Sequence, residues 1–174
     1  MKTAIKSKNF ILRPFKKGDE KSLIDNINDK DIYMYTLRIP HPYKKKDAKK
    51  WIEYCINESS KKIQKEIVFA IDINGEVIGA IGFHNIEKNH KAEIGYWLGK
   101  NNWNKGIITK SVGLVTEFGF KELKLKRIYA PIFIQNKASA RVLEKNGYKF
   151  EGLAKNYHLK EAKLIDVFIY AKVK

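Results

Sequence analysis

The segment from Glu93 to Gly147 constrains the fold of this 174-residue chain more than any other. It begins with an alternating run typical of a strand, Glu93 to Leu98, and continues into an asparagine- and glycine-rich turn that ends at Gly106. An apolar-periodic helix follows, then a second strand, then a helix that stops at Gly147. Because unpaired backbone N–H groups gather at a helix N-terminus, this order predicts a site for an anionic phosphate ligand.

Periodicity along the whole chain predicts an α+β, or mixed α/β, domain with seven strands and four helices around one sheet. We expect residues 1–174 to form a single domain. The clearest strand pair is 67–73 with 77–83, since Asn74-Gly75 between them is the strongest short hairpin signal. The stretch 29–43 contains Pro40 and Pro42 and is predicted to be irregular.

Capping residues mark several predicted helix starts. Gly18 and Asp19 indicate the first helix, and Asp47 is predicted as the N-cap of the second. Asn136 stands where a strand ends and the last helix begins, so it is either a cap or a ligand for a molecule in the adjoining cleft. Ser139, one turn later, is either a second cap or a hydroxyl donor to a reacting atom.

The net charge of +16 raises the question of a nucleic-acid partner. Only four of the 35 basic residues are arginines, whose planar fork dominates sequence-reading interfaces. A nucleic-acid partner is therefore allowed but not favoured, and a compositional bias of the source genome is the simpler explanation. Whatever its origin, the positive charge would attract a polyanionic cofactor.

Other compositional features exclude several classes of protein. A lone cysteine, Cys55, excludes an internal disulfide and fits a reducing cytoplasm. The chain has no apolar run of about 18 residues, and Met1–Phe10 is too polar for a signal peptide, so no membrane association is expected. The four histidines are scattered without zinc-ligand spacing, which predicts that no metal is bound.

Five segments carry a family resemblance. They are Phe10–Pro14, Gly79–Phe83, Ala92–Leu98, Trp103–Thr109 and Asn136–Gly147, in order along almost the whole chain. In these segments the chain resembles the GNAT superfamily of acetyl-CoA-dependent N-acetyltransferases. Within that superfamily it is most similar to the ribosomal-protein N-terminal acetyltransferases of the RimJ/RimL type.

The resemblance implies a GNAT-like fold with a mostly antiparallel sheet, splayed between the strands at 93–98 and 127–134. The pantetheine arm of acetyl-CoA would lie in that V and pair with the backbone of Trp97 and Leu98, and Asn136 would bond it. Ser139 would lie near the thioester sulfur. The pyrophosphate would be held by backbone N–H groups of six consecutive residues, which are Asn104, Lys105, Gly106, Ile107, Ile108 and Thr109.

Three positions depart from the commonest family pattern. Asn104 stands where the family usually has glycine, and Ile108 where it has a small residue. Leu143 occupies the position at which many relatives carry a tyrosine acid, a residue that the RimJ/RimL type commonly lacks. Ser139 is the substitute that we predict for that acid.

The implied reaction is direct acetyl transfer to a primary amine, which must first lose a proton. Glu93 is the predicted general base, although a strand carboxylate paired to a lysine would look the same in sequence. A backbone N–H near Trp97 or Leu98 would stabilise the oxyanion. Ser139 would supply a proton to the departing thiolate. Cys55 lies on an apolar helical stripe and is not expected to carry the acyl group.

The acceptor is predicted to be a protein or peptide N-terminal α-amine. Small amines (a polyamine, an antibiotic or an amino acid) are alternatives, as is a basic RNA- or ribosome-binding protein on the same scaffold. Tyr33 and Tyr35 could line an acceptor pocket or pin a loop to the core. His84 could border the acceptor cleft or be purely structural. The chain is expected to be a monomer or a homodimer.

Overall fold

The computed structural model describes residues 4–174, and in this part of the chain eight strands form one sheet. The strands are β1 Ile5–Lys6, β2 Ile11–Arg13, β3 Ile67–Ile73, β4 Glu76–Glu87, β5 Lys91–Leu98, β6 Arg127–Phe133, β7 Lys149–Lys160 and β8 Lys163–Val173. The helices are α1 Glu20–Ile27, α2 Lys30–Met34, α3 Lys45–Ser59, α4 Ile107–Lys121 and α5 Lys137–Lys145, with a 3₁₀ turn at Lys100–Asn102. The strand order is β1-β2-β3-β4-β5-β6-β8-β7.

The predicted α+β class and mostly antiparallel sheet are confirmed, with one strand and one helix more than expected. The extra strand, β1, has only two residues and pairs at the sheet edge with β2. The extra helix, α2, lies in the stretch predicted to be irregular. It is only five residues long, and the side chain of Asp29 accepts a hydrogen bond from the Asp31 N–H at 2.7 Å to start it. Among the helices of residues 4–174, none is long and apolar enough to cross a membrane.

The N-terminus of α3 corrects one predicted cap. The helix begins at Lys45, so Asp47 lies in its first turn and Lys44 is the N-cap. The Lys44 backbone N–H donates to Asp47 Oδ2 at 2.9 Å. A carboxylate at the third helical position can reach back to the N-cap N–H, which explains why Asp47 resembled a cap in the sequence.

Turn chemistry was predicted correctly at two other places. Asn74 and Gly75 both adopt positive φ, +53° and +88°, and join β3 to β4 as a tight hairpin. Gly147 has φ +77° immediately after α5 and ends that helix. These elements follow from local backbone preferences alone.

The sheet divides between β5 and β6, which are the one parallel neighbour pair among residues 4–174. Only three residue pairs join the two strands, and the last of them is Glu93 with Tyr129. Beyond that pair β5 stays paired with β4 as far as Leu98, while β6 stays paired with β8 as far as Phe133. The two strands therefore separate into a V, which confirms the predicted splay.

Two apolar cores cover the two faces of the sheet. The first includes Phe83 and Ile128 of the sheet with Val112 and Val115 of α4. The second packs α1 and α3 against Ala70, Val77 and Ala80 of the sheet. Strand β5 contributes Ala92, Ile94 and Leu98 to the first core and Trp97 to the second. Because side chains alternate along a strand, Glu93 and Gly95 lie on the Trp97 face.

Candidate active site

The loop before α4 has the backbone shape predicted for an anion site. Asn104 and Gly106 both adopt left-handed conformations, with φ of +60° and +73°. Gly106 is the N-cap of α4 and provides no side chain to bond the first N–H groups of the helix. The first turn of α4 contains no acidic residue. Unpaired N–H groups and the positive end of the helix dipole therefore coincide there.

The residues predicted to bind pyrophosphate lie around that helix start. Asn104, Lys105 and Gly106 are exposed, whereas Ile107 is buried in the first core. Ile108, one of the departures from the family pattern, packs partly against the same core, so its bulk is accommodated there. The indole N–H of Trp103 donates to the Leu98 carbonyl oxygen at 2.7 Å, which fixes the loop to the end of β5.

An open cleft adjoins this helix start on the outer side of α4 and α5. It is lined by Gly106, Thr109, Lys110, Gly113 and Lys145, among others. Lysine side chains near a bare helix N-terminus add positive charge to a site that already favours anions.

Ser139 and Asn136 meet as predicted at the start of α5. The Asn136 side-chain oxygen accepts a hydrogen bond from the Ser139 N–H at 3.1 Å, so Asn136 is a helix cap. The cap uses only the amide oxygen of Asn136. Ser139 is buried, and its hydroxyl lies 2.7 Å from the Tyr96 hydroxyl of β5.

Tyr96 was missed by the sequence analysis, although it joins β5 to α5, the helix that follows β6. Burial raises the pKa of its phenol, and the hydrogen bond with Ser139 opposes that effect only in part. A phenol with a raised pKa keeps its proton at neutral pH and can use it to donate a hydrogen bond. The signal available in the sequence was a tyrosine at a core-facing strand position, since a buried Tyr hydroxyl needs a partner.

Glu93 lies at the closed end of the V. Its carboxylate accepts a hydrogen bond from the Asn85 side-chain amide at 3.2 Å. Burial raises the pKa of both Tyr129 and Tyr157, and the negative charge of Glu93 raises each of them further. The carboxylate is therefore close enough to act electrostatically on both rings.

His84 shares the face of Glu93 and is its direct cross-strand partner. Its Nδ1 atom lies 3.1 Å from Oε2 of Glu66, a residue that the sequence analysis did not single out. The contact is close in distance but outside hydrogen-bond angles, and among residues 4–174 Nδ1 has no hydrogen-bond partner. Burial acts to raise the pKa of Glu66, but His84 and Arg38 outweigh it and hold that pKa below its usual value.

The two predicted pocket tyrosines are in different settings. The Lys160 ammonium of β7 lies 3.9 Å above the Tyr33 ring and donates to the backbone carbonyls of Tyr33 and Thr36. Tyr35 is 39% exposed. Tyr33 thus joins α2 to the end of the β7–β8 hairpin, while Tyr35 makes no such bridge among the described residues.

The structure also gives Cys55 a buried position on α3, where burial strongly raises the pKa of its thiol.

The geometry brings the predicted residues together in two groups. The 104–109 loop, Asn136 and Ser139 lie toward α4 and α5, and Glu93 with His84 lies on the opposite face of β5. Within residues 4–174 there is no group of three or more side chains placed to hold a metal ion.

Comparisons with known proteins agree with this architecture. The chain is 39% identical over 100 residues to the uncharacterized N-acetyltransferase p20 of Bacillus licheniformis, an alignment that covers 57% of this chain and 56% of that protein. It is 32% identical over 107 residues to the ribosomal-protein-serine acetyltransferase of Escherichia coli (strain K12), with 61% and 60% covered. The solved structure of RimL, a ribosomal L7/L12 alpha-N-protein acetyltransferase in complex with coenzyme A, superposes with a TM-score of 0.87 at 22% identity. That superposition covers 98% of each chain.

The match to a family model is more extensive than these pairwise alignments. The model for the acetyltransferase (GNAT) domain matches residues 9–149, which include every residue of the predicted site. The splayed β5–β6 pair, the bare N-terminus of α4 and the match over most of the sequence lead to one conclusion: the chain belongs to the GNAT acetyltransferase family.

Proposed function

We propose that this protein transfers an acetyl group from acetyl-CoA directly to a primary amine, the N-terminal α-amine of a protein or peptide being the favoured acceptor. The observation that carries the proposal is the V between β5 and β6. It has an anion-binding helix start on one side and a carboxylate with an imidazole on the other. One end suits a pyrophosphate, and the other suits an amine.

In this proposal the pantetheine arm lies in the V and extends β5 as an added strand. The exposed backbone of Trp97 and Leu98 would pair with its amides. The pyrophosphate would accept hydrogen bonds from N–H groups between Asn104 and Thr109, where two left-handed residues and a helix start support anion binding. The side-chain NH₂ group of Asn136 would reach the arm, since its cap contact uses only the oxygen.

The transfer forms a bond between the amine nitrogen and the acetyl carbon and breaks the bond between that carbon and the CoA sulfur. A backbone N–H of Trp97 or Leu98 would stabilise the tetrahedral oxyanion. The departing thiolate would receive a proton from the Ser139 hydroxyl. Tyr96, 2.7 Å away and protonated at neutral pH, would hold the Ser139 hydroxyl by a hydrogen bond during that transfer.

An incoming ammonium must first lose a proton, and two groups are placed to receive it. Glu93 is the base predicted from the sequence, and its location at the closed end of the V agrees with that role. His84 lies beside it on the same face. The two assignments make different predictions for the pH dependence of the reaction.

The identity of the acceptor rests on two lines of support. A relative named as a ribosomal-protein-serine acetyltransferase favours a peptide N-terminus. The net charge of +16 disfavours polycationic acceptors, since polyamines and amino-sugar antibiotics would be repelled. A single free amino acid remains compatible with the site.

The same positive charge supports a second candidate function, binding of RNA or the ribosome on an acetyltransferase scaffold. Such binding would weaken steeply as salt concentration rises, because neutralised phosphates release counterions. It would not require acetyl-CoA.

Three measurements test both candidates. Release of CoA is measured with the full chain, acetyl-CoA and a panel of N-terminal peptides, free amino acids, polyamines and amino-sugar antibiotics. Thermal unfolding is measured with and without acetyl-CoA, and binding to single-stranded RNA is measured at two salt concentrations. We expect peptide-dependent CoA release and a raised melting temperature with acetyl-CoA. No CoA release with any acceptor and no thermal shift would reject the enzymatic proposal.

A further inference from the structure

We propose that His84, with the Glu66 carboxylate beside it, is the group that takes the proton from the acceptor amine, and that Glu93 supplies negative charge to attract the ammonium. This inference rests on the proposed acetyltransferase function. It replaces Glu93 by His84 in the role of general base.

The position of the imidazole is the first argument. A Cβ atom added at Gly95 would lie 3.2 Å from His84 Nε2, so the ring sits directly over that glycine. Gly95 is two residues beyond Glu93, the last β5 residue paired with β6. Nε2 therefore lies beside the point at which the V opens, on the face opposite α4. Any side chain at 95 would crowd the ring, which explains a glycine at this strand position.

The second argument is the carboxylate behind the ring. Glu66 Oε2 lies 3.1 Å from Nδ1, the nitrogen that faces away from Gly95. A carboxylate beside one imidazole nitrogen stabilises the imidazolium that forms when the other nitrogen accepts a proton. Burial acts to raise the pKa of Glu66, but His84 and Arg38 lower it overall. The Glu66 carboxylate is therefore ionised at neutral pH.

Exposure supplies the third argument. The His84 side chain is 21% exposed and that of Glu66 is 13% exposed. Nδ1 itself is buried, so the remaining access to solvent is available to the rest of the ring. A ring that is half-buried and backed by a carboxylate can exchange protons with an amine and release them to water.

The proton balance of the step is complete. The acceptor enters as an ammonium and gives one proton to Nε2 of neutral His84, and this frees the nitrogen lone pair for attack on the acetyl carbon. The tetrahedral intermediate loses the second amine proton to Ser139 as Ser139 gives its own proton to the departing thiolate and the carbon–sulfur bond breaks. His84 then returns its proton to solvent.

Several charged groups face this pair and shape its response to pH. Glu93 lies across the strand ladder, and Arg38 approaches Glu66 at 3.4 Å. Tyr54 and Cys55 of α3 are both near Glu66, whose charge contributes to raising the pKa of each. Burial raises the pKa of Tyr54 to about 12 and that of Cys55 still further, so both stay neutral between pH 5 and 9.

The test compares His84→Gln, Glu66→Gln and Glu93→Gln by the pH profile of kcat/KM with an N-terminal peptide acceptor. His90→Gln is the matched control, because His90 forms an exposed pair with Glu87 at 3.0 Å on a surface turn. We expect His84→Gln to lower kcat/KM about 100-fold and to remove the acid limb of its pH profile. Glu66→Gln should lower kcat/KM about 10-fold and move the acid limb to lower pH, since the imidazolium loses a stabilising charge.

A second variant separates the chemical role of the ring from its contribution to packing. His84→Ala leaves space above Gly95, so added imidazole should restore part of the activity. All variants should keep the thermal shift produced by acetyl-CoA. His90→Gln should behave as wild type, and Glu93→Gln should mainly raise the KM for the acceptor.

Two results would overturn the inference. If Glu93→Gln removed the acid limb while His84→Gln kept it, Glu93 would be the base and the proposed function would stand. If the His84 variants lost acetyl-CoA stabilisation together with activity and imidazole restored nothing, the role of His84 would be structural. A wild-type protein without any transferase activity would instead reject the proposed function itself, and the base role with it.

Discussion

The two faces of the V are built by different means. On the α4 side, the features that suit a cofactor are backbone ones, namely left-handed residues, a bare helix start and the open edge of β5. On the opposite face the features are side chains, namely Glu93 of the same strand, His84 of β4 beside it and Glu66 behind. A site made of backbone tolerates sequence change, whereas a site made of side chains depends on each one.

The departures from the family pattern agree with this contrast. Asn104 adopts the left-handed conformation for which glycine is usual, and asparagine is among the residues that tolerate it best. Leu143 is fully buried in the first core, so the position of the usual tyrosine acid is used here for packing. A phenol is nevertheless present beside Ser139, contributed by Tyr96 of β5.

Replacing the Ser139 hydroxyl should produce the largest effect on the cofactor side. We expect Ser139→Ala to lower kcat by about 100-fold, because the thiolate loses its proton donor, and Tyr96→Phe to lower kcat by about 10-fold. Steady-state kinetics should show little change in the KM for acetyl-CoA. A change in that KM with kcat intact would mean that the Tyr96–Ser139 pair only shapes the binding site.

The backbone nature of the phosphate site can be tested with two glycines. Gly106→Ala should raise the KM for acetyl-CoA about 10-fold, because an L-residue resists the left-handed conformation that aims the N–H groups. Gly18→Ala is the control, since Gly18 also has a positive φ in open space but precedes α1 rather than α4. Both variants should lose about 1 kcal/mol of stability by urea unfolding. Equal KM values would contradict the assignment of this loop.

On the acceptor side, the tie between Lys160 and α2 should affect stability more than chemistry. Lys160→Met removes two hydrogen bonds to backbone carbonyls and the cation–π contact with Tyr33. We expect the free energy of unfolding to fall by about 1 kcal/mol and the melting temperature to fall by about 2–4 °C. The acetyl-CoA shift should stay as in wild type. Lys155→Met, an exposed lysine of the same strand, should change neither quantity.

The smallest effect is expected at Cys55. Burial raises the pKa of this thiol, and the charge of Glu66 adds to that effect, so the reactive thiolate is nearly absent at pH 7–9. Iodoacetamide at pH 7.5 should leave the native enzyme active, and mass spectrometry should find Cys55 unmodified until urea unfolds the chain. Rapid inactivation of the native protein would place a reactive sulfur in the acyl path.

Local chemistry predicted those parts of the fold that depend on neighbours in sequence. The Asn74-Gly75 hairpin and the Gly147 helix end follow from residues that tolerate positive φ. The N-cap of α3 was predicted at Asp47, three positions after the actual N-cap, Lys44. A carboxylate in the first helical turn cannot be distinguished in sequence from one at the N-cap.

The residues missed in the site depend on pairings that sequence distance conceals. Glu66 reaches His84 only because the β3–β4 register places Ile67 opposite Phe83, and a shift of one residue would turn either side chain to the other face. Tyr96 and Ser139 are 43 positions apart and meet through the packing of α5 against the V. The residues predicted an anion site before α4 and a cap or ligand at Asn136, the family resemblance added the pyrophosphate and pantetheine, and Glu93 was assigned from the chemistry of the reaction; the test of these roles is kinetic.

If acetyl-CoA binds as proposed, the open ladder edges inside the V would link this protein to the metabolic state of its cell. Unpaired strand edges are costly within a sheet, and in the proposed complex the pantetheine amides occupy them. Acetyl-CoA at 100 times its Kd would then raise the free energy of unfolding by about 2.7 kcal/mol by mass action. A cell short of acetyl-CoA would hold a larger unfolded fraction exposed to proteases, so the abundance of the protein would follow the supply of its own substrate.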